Sequence, residues 1–325
     1  MKSKLNLANL PTKIEKLKRF SEDLGINLYI KRDDQTGTEF SGNKIRKLEY
    51  VLKEVVDLNY DAVITCGGIQ SNHARATVAA ATKIGLKSVV LLRTDEVPKV
   101  EGNYFLDKLL GADVRFCTSE EYKKSRAEIM KNIASEYALK GKKAYIIPEG
   151  ASFGIGALGY YSAMEEIVLQ EKEMGINFNT IVVATGSGGT YAGLYLANKI
   201  HGYGKRIIGM AVCDDAFYFK NVINEISNDA LEYLDEEVDI SKDEIEINDK
   251  YIGIGYAIST KEELDFITMF ARKEGVILDP VYTGKAMRGL FSEVRNLKLK
   301  DPGNVLFIHT GGLFGLFPKQ DQFDL

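Results

Sequence analysis

The sequence predicts an α/β fold with a parallel sheet covered on both faces by helices, built as two lobes or as one large unit. Three observations predict it. Short apolar runs alternate with longer helical patterns between residues 62 and 212, which is the order of strands and crossover helices. Glycine-rich turns stand at several strand-to-helix junctions. At 325 residues the chain exceeds the usual size of one domain.

Taken in order, residues 28–32 are an extended piece, and 33–38 form a turn-rich stretch leading to Ser41-Gly42-Asn43-Lys44. Ile45, Leu48, Leu52 and Val55 then recur at helical spacing, with Arg46, Lys47, Lys53 and Glu54 mostly off that stripe, so a helix starts at Lys44. Strands are expected at 62–66, 88–92, 114–116, 144–147, 180–184 and 206–212. Helices are expected at 71–84, 103–110, 120–140, from the 150–159 glycine cluster to about 174, and at 191–200. The acidic stretch 225–250 reads as a solvated helix and surface connection. Thr260 and Glu263 make a capping-box pair that starts a helix running to 274. Residues 305–308 are a last buried strand, and the tail after Phe317 is polar and expected to be peripheral.

Composition narrows the function. With 42 basic and 46 acidic residues the formal charge is -4, which offers no polyanion-binding surface and makes nucleic acid an unexpected partner. Cys66, Cys117 and Cys213 are odd in number and far apart, which fits reduced thiols in the cytoplasm. No signal core and no run of roughly 18 apolar residues is present, so no membrane association is expected. His73, His201 and His309 make no metal-ligand spacing with one another or with the cysteines, and no metal is expected.

Chemistry concentrates in the turns. A lysine at a helix start, such as Lys44, can simply be a surface residue, but the positive end of the helix dipole beside it favours the free amine that attacks an aldehyde. Gly186-Ser187-Gly188-Gly189-Thr190 follows an apolar strand and opens a helix, the position of an anion cradle. It lacks the lysine of a P-loop and the third glycine of a dinucleotide fingerprint. A monophosphate cofactor that also needs a lysine amine suggests pyridoxal 5'-phosphate, with Lys44 as its Schiff-base lysine. Lys285 is the rival, without the preceding Ser-Gly-Asn turn. Gln70, Ser71, Asn72 and His73 form a turn that could hold a substrate carboxylate, although Ser71 reads equally as a helix cap and His73 as a packed residue. Tyr256 and Tyr282 are either acid/base or leaving-group contacts, or buried structural tyrosines.

Five segments together resemble the D-cysteine desulfhydrase and 1-aminocyclopropane-1-carboxylate deaminase family. They are Ser-Gly-Asn-Lys-x-Arg-Lys-Leu-Glu at 41–49, Gln-Ser-Asn-His at 70–73, Gly-Ser-Gly-Gly-Thr at 186–190, Asp-Pro-Val-Tyr-Thr-Gly-Lys at 279–285 and His-Thr-Gly-Gly at 309–312. The resemblance runs over nearly the whole chain. It implies a fold-type II pyridoxal phosphate enzyme, as a homodimer, with a larger cofactor domain (1–49 plus 166–325) and a smaller mobile domain (50–165). By the same resemblance Lys44 matches the cofactor lysine, Asn72 the contact to the phenolic oxygen, and Gly186 to Thr190 the phosphate loop. Ser71 matches the residue over the cofactor face, and Tyr256 and Tyr282 the active-site tyrosines. The surroundings of Tyr256, Gly255-Tyr256-Ala257-Ile258-Ser259, depart from the family's Tyr-Gly-x-Pro-Asn.

The family's cyclopropane deaminases typically carry Glu and Leu where this chain has Thr283 and Thr310. A hydroxyl in place of an acid leaves the pyridine ring closer to neutral, which suits β-elimination of a good leaving group. The expected activity is therefore β-elimination on a small β-substituted amino acid, with D-cysteine first and pyruvate, hydrogen sulfide and ammonia as products. Deamination of 1-aminocyclopropane-1-carboxylate is the rival, and L-cysteine, cysteate and diaminopropionate are further candidate substrates.

Overall fold

In the computed structural model, which describes residues 2–325, two sheets share the chain. The larger has six strands in the order β1 (Ile14–Lys16), β2 (Asn27–Lys31), β10 (Asn304–Ile308), β7 (Thr180–Thr185), β8 (Arg206–Ala211) and β9 (Glu246–Asn248). The smaller has four, in the order β5 (Asp113–Cys117), β4 (Lys87–Arg93), β3 (Ala62–Gly68) and β6 (Ala144–Ile146). Every pairing is parallel except β1 with β2. Parallel neighbours need crossovers, and helices supply them: α1 (Lys18–Leu24), α2 (Lys44–Asp57), α3 (Asn72–Lys83), α4 (Gly102–Leu109), α5 (Ser119–Ala138), α6 (Gly154–Met174), α7 (Gly189–Ile200), α8 (Ala216–Leu231), α9 (Lys261–Glu274), α10 (Thr283–Arg295) and α11 (Leu313–Leu316).

The side-chain alternation of the strands decides which helix covers which face. In the smaller sheet Ile64, Cys66, Val89 and Leu91 pack on Tyr122, Met130 and Ile133 of α5, while Val90 and Leu92 face Ala74 and Val78 of α3 and Tyr104 of α4. In the larger sheet Val182, Ile208, Val305 and Phe307 meet Phe20, Phe266, Phe270 and Leu290 on one side. Ile181, Val183 and Leu306 meet a core on the other side that also takes in α2, α6 and α7. That second core is continuous from Val63 in the smaller sheet to Ile308 in the larger.

Two helices cross the expected domain limits. A boundary at 49/50 falls within α2 and one at 165/166 within α6, so the chain passes between the sheets along helices rather than through linkers. The amino-terminal β1 and α1 and the edge strand β9 have too few residues to show a visible period in the sequence.

Helix α2 is buried from Ile45 to Leu52, including charged residues that lie off its apolar stripe. Arg46, Lys47 and Glu49 are all buried. Arg46 meets Asp33 through two nitrogens, each bond 2.9 Å, and it also holds both oxygens of Glu166 on α6. Burial alone would raise the Asp33 carboxyl; Arg46 and Lys31 more than reverse this and hold it at about 2. Glu49 accepts bonds from Leu7 N and Ala8 N at 2.7 and 2.8 Å. These bonds fix the helix about its own axis and so set the direction in which Lys44, its first residue, leaves.

Candidate active site

Three of the turns meet at the start of α2. Asn43 donates its backbone N–H to Thr310 O (3.1 Å) and its side-chain amide to Thr190 Oγ1 (2.9 Å). Gly42 has φ +112, and a Cβ there would lie 2.7 Å from Thr310 O, so no other residue fits between the turns. Asn43 therefore joins the lysine turn to the 186–190 loop and to the 309–312 turn, and Lys44 projects from that junction.

The Lys44 amine is lowered to about 8, chiefly by burial, while the Glu149 carboxylate works in the opposite direction. Three residues on, and so on the same side of α2, Lys47 has no exposed surface and donates to Gly150 O (3.2 Å) and Ser152 Oγ (3.1 Å). Both acceptors are neutral. Burial, with the Lys44 charge second, pushes Lys47 well below its ordinary value.

The 186–190 loop is shaped around this cation. A Cβ on Gly189 would stand 2.9 Å from Lys47 Nζ and 2.8 Å from Ser152 Oγ. Ser187 Oγ lies 2.8 Å from Ser152 Oγ, and Gly188, at φ +82, turns the chain into α7. The turn thus joins a helix N-terminus, two hydroxyl residues and a buried cation that has no carboxylate bonded to it. A bound phosphate dianion supplies the missing charge, so the residues present fit pyridoxal 5'-phosphate. Sequence patterning notes Lys47 only as a residue off the apolar stripe and so overlooks it; its i+3 spacing from Lys44 is the available signal.

The chain belongs to the pyridoxal-phosphate dependent enzyme family. The family model of that description matches residues 5–311. An Arabidopsis thaliana protein named bifunctional D-cysteine desulfhydrase/1-aminocyclopropane-1-carboxylate deaminase, mitochondrial, is 43% identical over 326 residues, covering 98% of this chain and 80% of that protein. A crystal structure described as an ACC deaminase homologue superposes with a TM-score of 0.90 at 39% identity, covering 98% of this chain and 94% of the other. A crystal structure of the T.th. threonine deaminase, at TM-score 0.65 and 19% identity over 93% of this chain and 92% of its own, shares the fold. The fold is fold-type II, the cofactor is pyridoxal 5'-phosphate, and the chain is an enzyme of the lyase type acting on a small amino acid.

Opposite Lys44, β3 ends in the Gln70–Asn72 turn. Ser71 caps α3 by accepting Ala74 N at 3.1 Å, which leaves its hydroxyl proton free for the cleft. The Asn72 side chain is oriented by Asn103 at the start of α4, which donates to Asn72 Oδ1 (3.0 Å) and to Gln70 O (3.0 Å). The NH2 end of Asn72 is thereby the end left free. Gln70 is spent on structure: its amide accepts from Asn103 N at 2.8 Å and donates to Glu101 O at 3.1 Å. Arg75 completes the group, bonding Asn103 Oδ1 at 3.1 Å and reaching back to Ser41 O (2.9 Å) beside the lysine turn. No sequence motif points to Asn103.

His73 lies apart from the residues expected to hold substrate. It is buried, with Nε2 2.7 Å from Thr65 Oγ1, and burial, with Lys44 and Lys47 next, pushes it well below the usual imidazole range. It packs as a neutral ring beneath the turn rather than in it.

On the far side Tyr256 and Tyr282 touch through their hydroxyls at 2.5 Å. The Tyr256 ring is partly open to the cleft while its hydroxyl is tucked against Tyr282, and this burial pushes the phenol up to about 12. Burial, then the Tyr256 neighbour, raises Tyr282 well above its ordinary value. Tyr282 Cε1 would be 3.0 Å from a Cβ on Gly186, which places the pair beside the 186–190 turn. Thr283 is buried and donates its hydroxyl to Asp279 Oδ1 at 2.7 Å, so that proton is engaged within the turn. Thr310 meets the lysine turn through its carbonyl. Lys285, the rival lysine, donates to Ile252 O and Gly255 O, both at 2.7 Å, and so faces loop backbone rather than the 186–190 turn. Among the described residues no helix is long and apolar enough to cross a membrane.

Proposed function

We propose that this enzyme catalyses β-elimination on a small β-substituted amino acid, with D-cysteine as the preferred substrate and pyruvate, hydrogen sulfide and ammonia as products. Bound pyridoxal phosphate supplies an electron sink conjugated to the substrate Cα. Lys44 Nζ, with its depressed pKa, is the group that removes the Cα proton. The substrate carboxylate is held at the N-terminus of α3 by the free hydroxyl proton of Ser71 and the adjoining backbone N–H groups. Asn72 directs its NH2 group to the cofactor's phenolic oxygen, and Gly186 to Thr190, with Lys47, hold its phosphate.

The observation that carries the choice of reaction is the tyrosine pair. Both phenols are raised and keep their protons at neutral pH; one O–H is donated across the 2.5 Å contact, so the pair offers its remaining proton to a departing sulfur and is not a base. The engaged Thr283 adds to this, since position 283 offers no carboxylate to keep a pyridine nitrogen protonated. The rival reading, ring-opening deamination of 1-aminocyclopropane-1-carboxylate, draws support from the paired activities in the Arabidopsis protein's name. The resemblance further carries a homodimer and movement of the 50–165 unit over the cleft, and the three unpaired cysteines suit a cytoplasmic location.

Pyruvate assays on the purified enzyme with D-cysteine and with L-cysteine, run beside a 2-oxobutanoate assay with 1-aminocyclopropane-1-carboxylate, test this reading. Pyruvate and sulfide from D-cysteine alone are expected. Appearance of 2-oxobutanoate in place of pyruvate transfers the assignment to the deaminase.

A further inference from the structure

The loop carrying Tyr256 is pinned by two ammonium groups from different parts of the chain. Lys285, on α10, has 1% exposure and donates to Ile252 O and Gly255 O. Lys319, in the carboxy-terminal turn Phe317–Gln322, donates to Ala257 O. Three carbonyls of a six-residue stretch thus point at two cations.

The backbone shows why they are needed. Gly253 has φ +76, and Ala257, which bears a Cβ, has φ +59. A non-glycine residue in the left-handed region is unfavourable and persists only where its surroundings enforce it. The charge-assisted bond from Lys319 lands on Ala257 itself. Gly253 is closed in by Glu263, whose Oε1 would lie 2.6 Å from a Cβ. Without the lysines the loop has three inward carbonyls and an unfavourable residue.

Lys285 also ties the two phenols into one unit. It stands three residues after Tyr282 on α10 and bonds the carbonyl just before Tyr256, so one side chain sets both ends of the 2.5 Å hydroxyl contact. Lys319 brings a second connection. Its neighbours Phe314 and Pro318 crowd Gly102 at the head of α4, where a Cβ would meet Phe314 O and Pro318 Cγ, each at 2.7 Å, and Gln70 Oε1 at 2.4 Å. One carboxy-terminal segment therefore touches both the Gln70–Asn103 group and the Tyr256 loop, which corrects its expected peripheral role.

We propose that Lys285 and Lys319 are positioning residues that clamp the 252–257 loop and hold Tyr256 against Tyr282 in the geometry that delivers a proton to the leaving group. This rests on the role given to Tyr256 above.

The test uses the holoenzyme with Lys319→Met, Lys319→Arg, Tyr256→Phe and the Lys319→Met/Tyr256→Phe double variant, assayed with the amino acid it turns over. Lys319→Met is expected to lower kcat/KM about tenfold or more with the cofactor absorption unchanged, and Lys319→Arg to restore it to within about threefold. Because the lysine acts through Tyr256, the double variant should be no worse than Tyr256→Phe alone to within about threefold. Amide hydrogen exchange should accelerate over 252–258 in Lys319→Met and stay unchanged elsewhere. Unaltered exchange in that loop, or losses that multiply in the double variant, overturns the clamp. Unchanged turnover in Tyr256→Phe instead overturns the role of Tyr256 itself, and the exchange measurement then decides the clamp separately. Lys285→Met is expected to show the same signature; should it fail to fold, the Lys319 set decides alone.

Discussion

The Lys47 ammonium lies 2.9 Å from the point where a Cβ on Gly189 would stand, so the 186–190 turn and the third residue after Lys44 are shaped against each other. Lys47 donates only to neutral oxygens, Gly150 O and Ser152 Oγ. A buried cation in that state is costly until an anion arrives. Replacing it with methionine should weaken pyridoxal phosphate binding at least about tenfold, or about 1.4 kcal/mol, read from absorbance titration of the cofactor-free protein. Gly189→Ala should weaken it too, by crowding Lys47 and Ser152 rather than removing charge. Unaltered affinity in both variants would place the phosphate elsewhere.

Asn103 should matter for turnover although it is fully buried. Asn103→Ala removes the donor to the half-buried Asn72 Oδ1 and Gln70 O and the acceptor of the buried Arg75 Nε, at a cost of about 1–3 kcal/mol. A kcat/KM about tenfold to a hundredfold lower is expected, since the freed Asn72 amide can rotate. The cofactor spectrum of the variant compared with wild type checks whether the loss acts through Asn72.

Lys44 should make cofactor capture depend on pH. Its amine is lowered to about 8, mainly by burial, so it is charged below that pH and free above it. The rate at which cofactor-free protein takes up pyridoxal phosphate should rise about tenfold per pH unit up to about pH 8 and then level off, because only the free amine reacts. Stopped-flow absorbance reads this directly. Lys44→Ala should show no such reaction and should lower turnover by at least about a hundredfold.

Asp107 on α4 should limit stability at alkaline pH. It is buried, neither carboxyl oxygen has a hydrogen-bond partner among the described residues, and burial raises it to about 8 against the partial offset of Arg75. The folded state then holds a proton that the unfolded state, near 3.8, has lost. Stability attributable to this group is complete below about pH 4 and drains away as the pH climbs to about 8. Asp107→Asn keeps the shape without the charge. Thermal unfolding should show the variant more stable than wild type by about 1 kcal/mol or more at pH 9, near 2 °C in Tm, and close to wild type at pH 4.

The parts of the fold legible in the sequence are those with a strong local period. The alternating runs between residues 62 and 212 form β3 to β8 and α3 to α7, because a buried parallel strand needs several consecutive apolar residues and its crossover needs an amphipathic helix. The Thr260–Glu263 capping box stands where expected, at the start of α9. β9 is hidden by its three residues and by the acidic stretch around it.

For the site, the sequence by itself determined the turns that must be small and the lysine they present. Gly42 and Gly189 have no tolerable substitute where backbone meets backbone or backbone meets ammonium, and such demands are written in residue type. Tertiary structure alone decided which polar groups face the cleft. Arg46 and Lys47 are adjacent residues off the apolar stripe of one helix, yet one is neutralised by Asp33 and Glu166 while the other has only neutral acceptors beside the 186–190 turn. Asn103, Lys285 and Lys319 likewise gain their meaning from partners about 30 to 60 residues away. A hydrogen bond or an ion pair across that separation depends on distances that only the packed chain sets, and local spacing in the sequence carries no record of them.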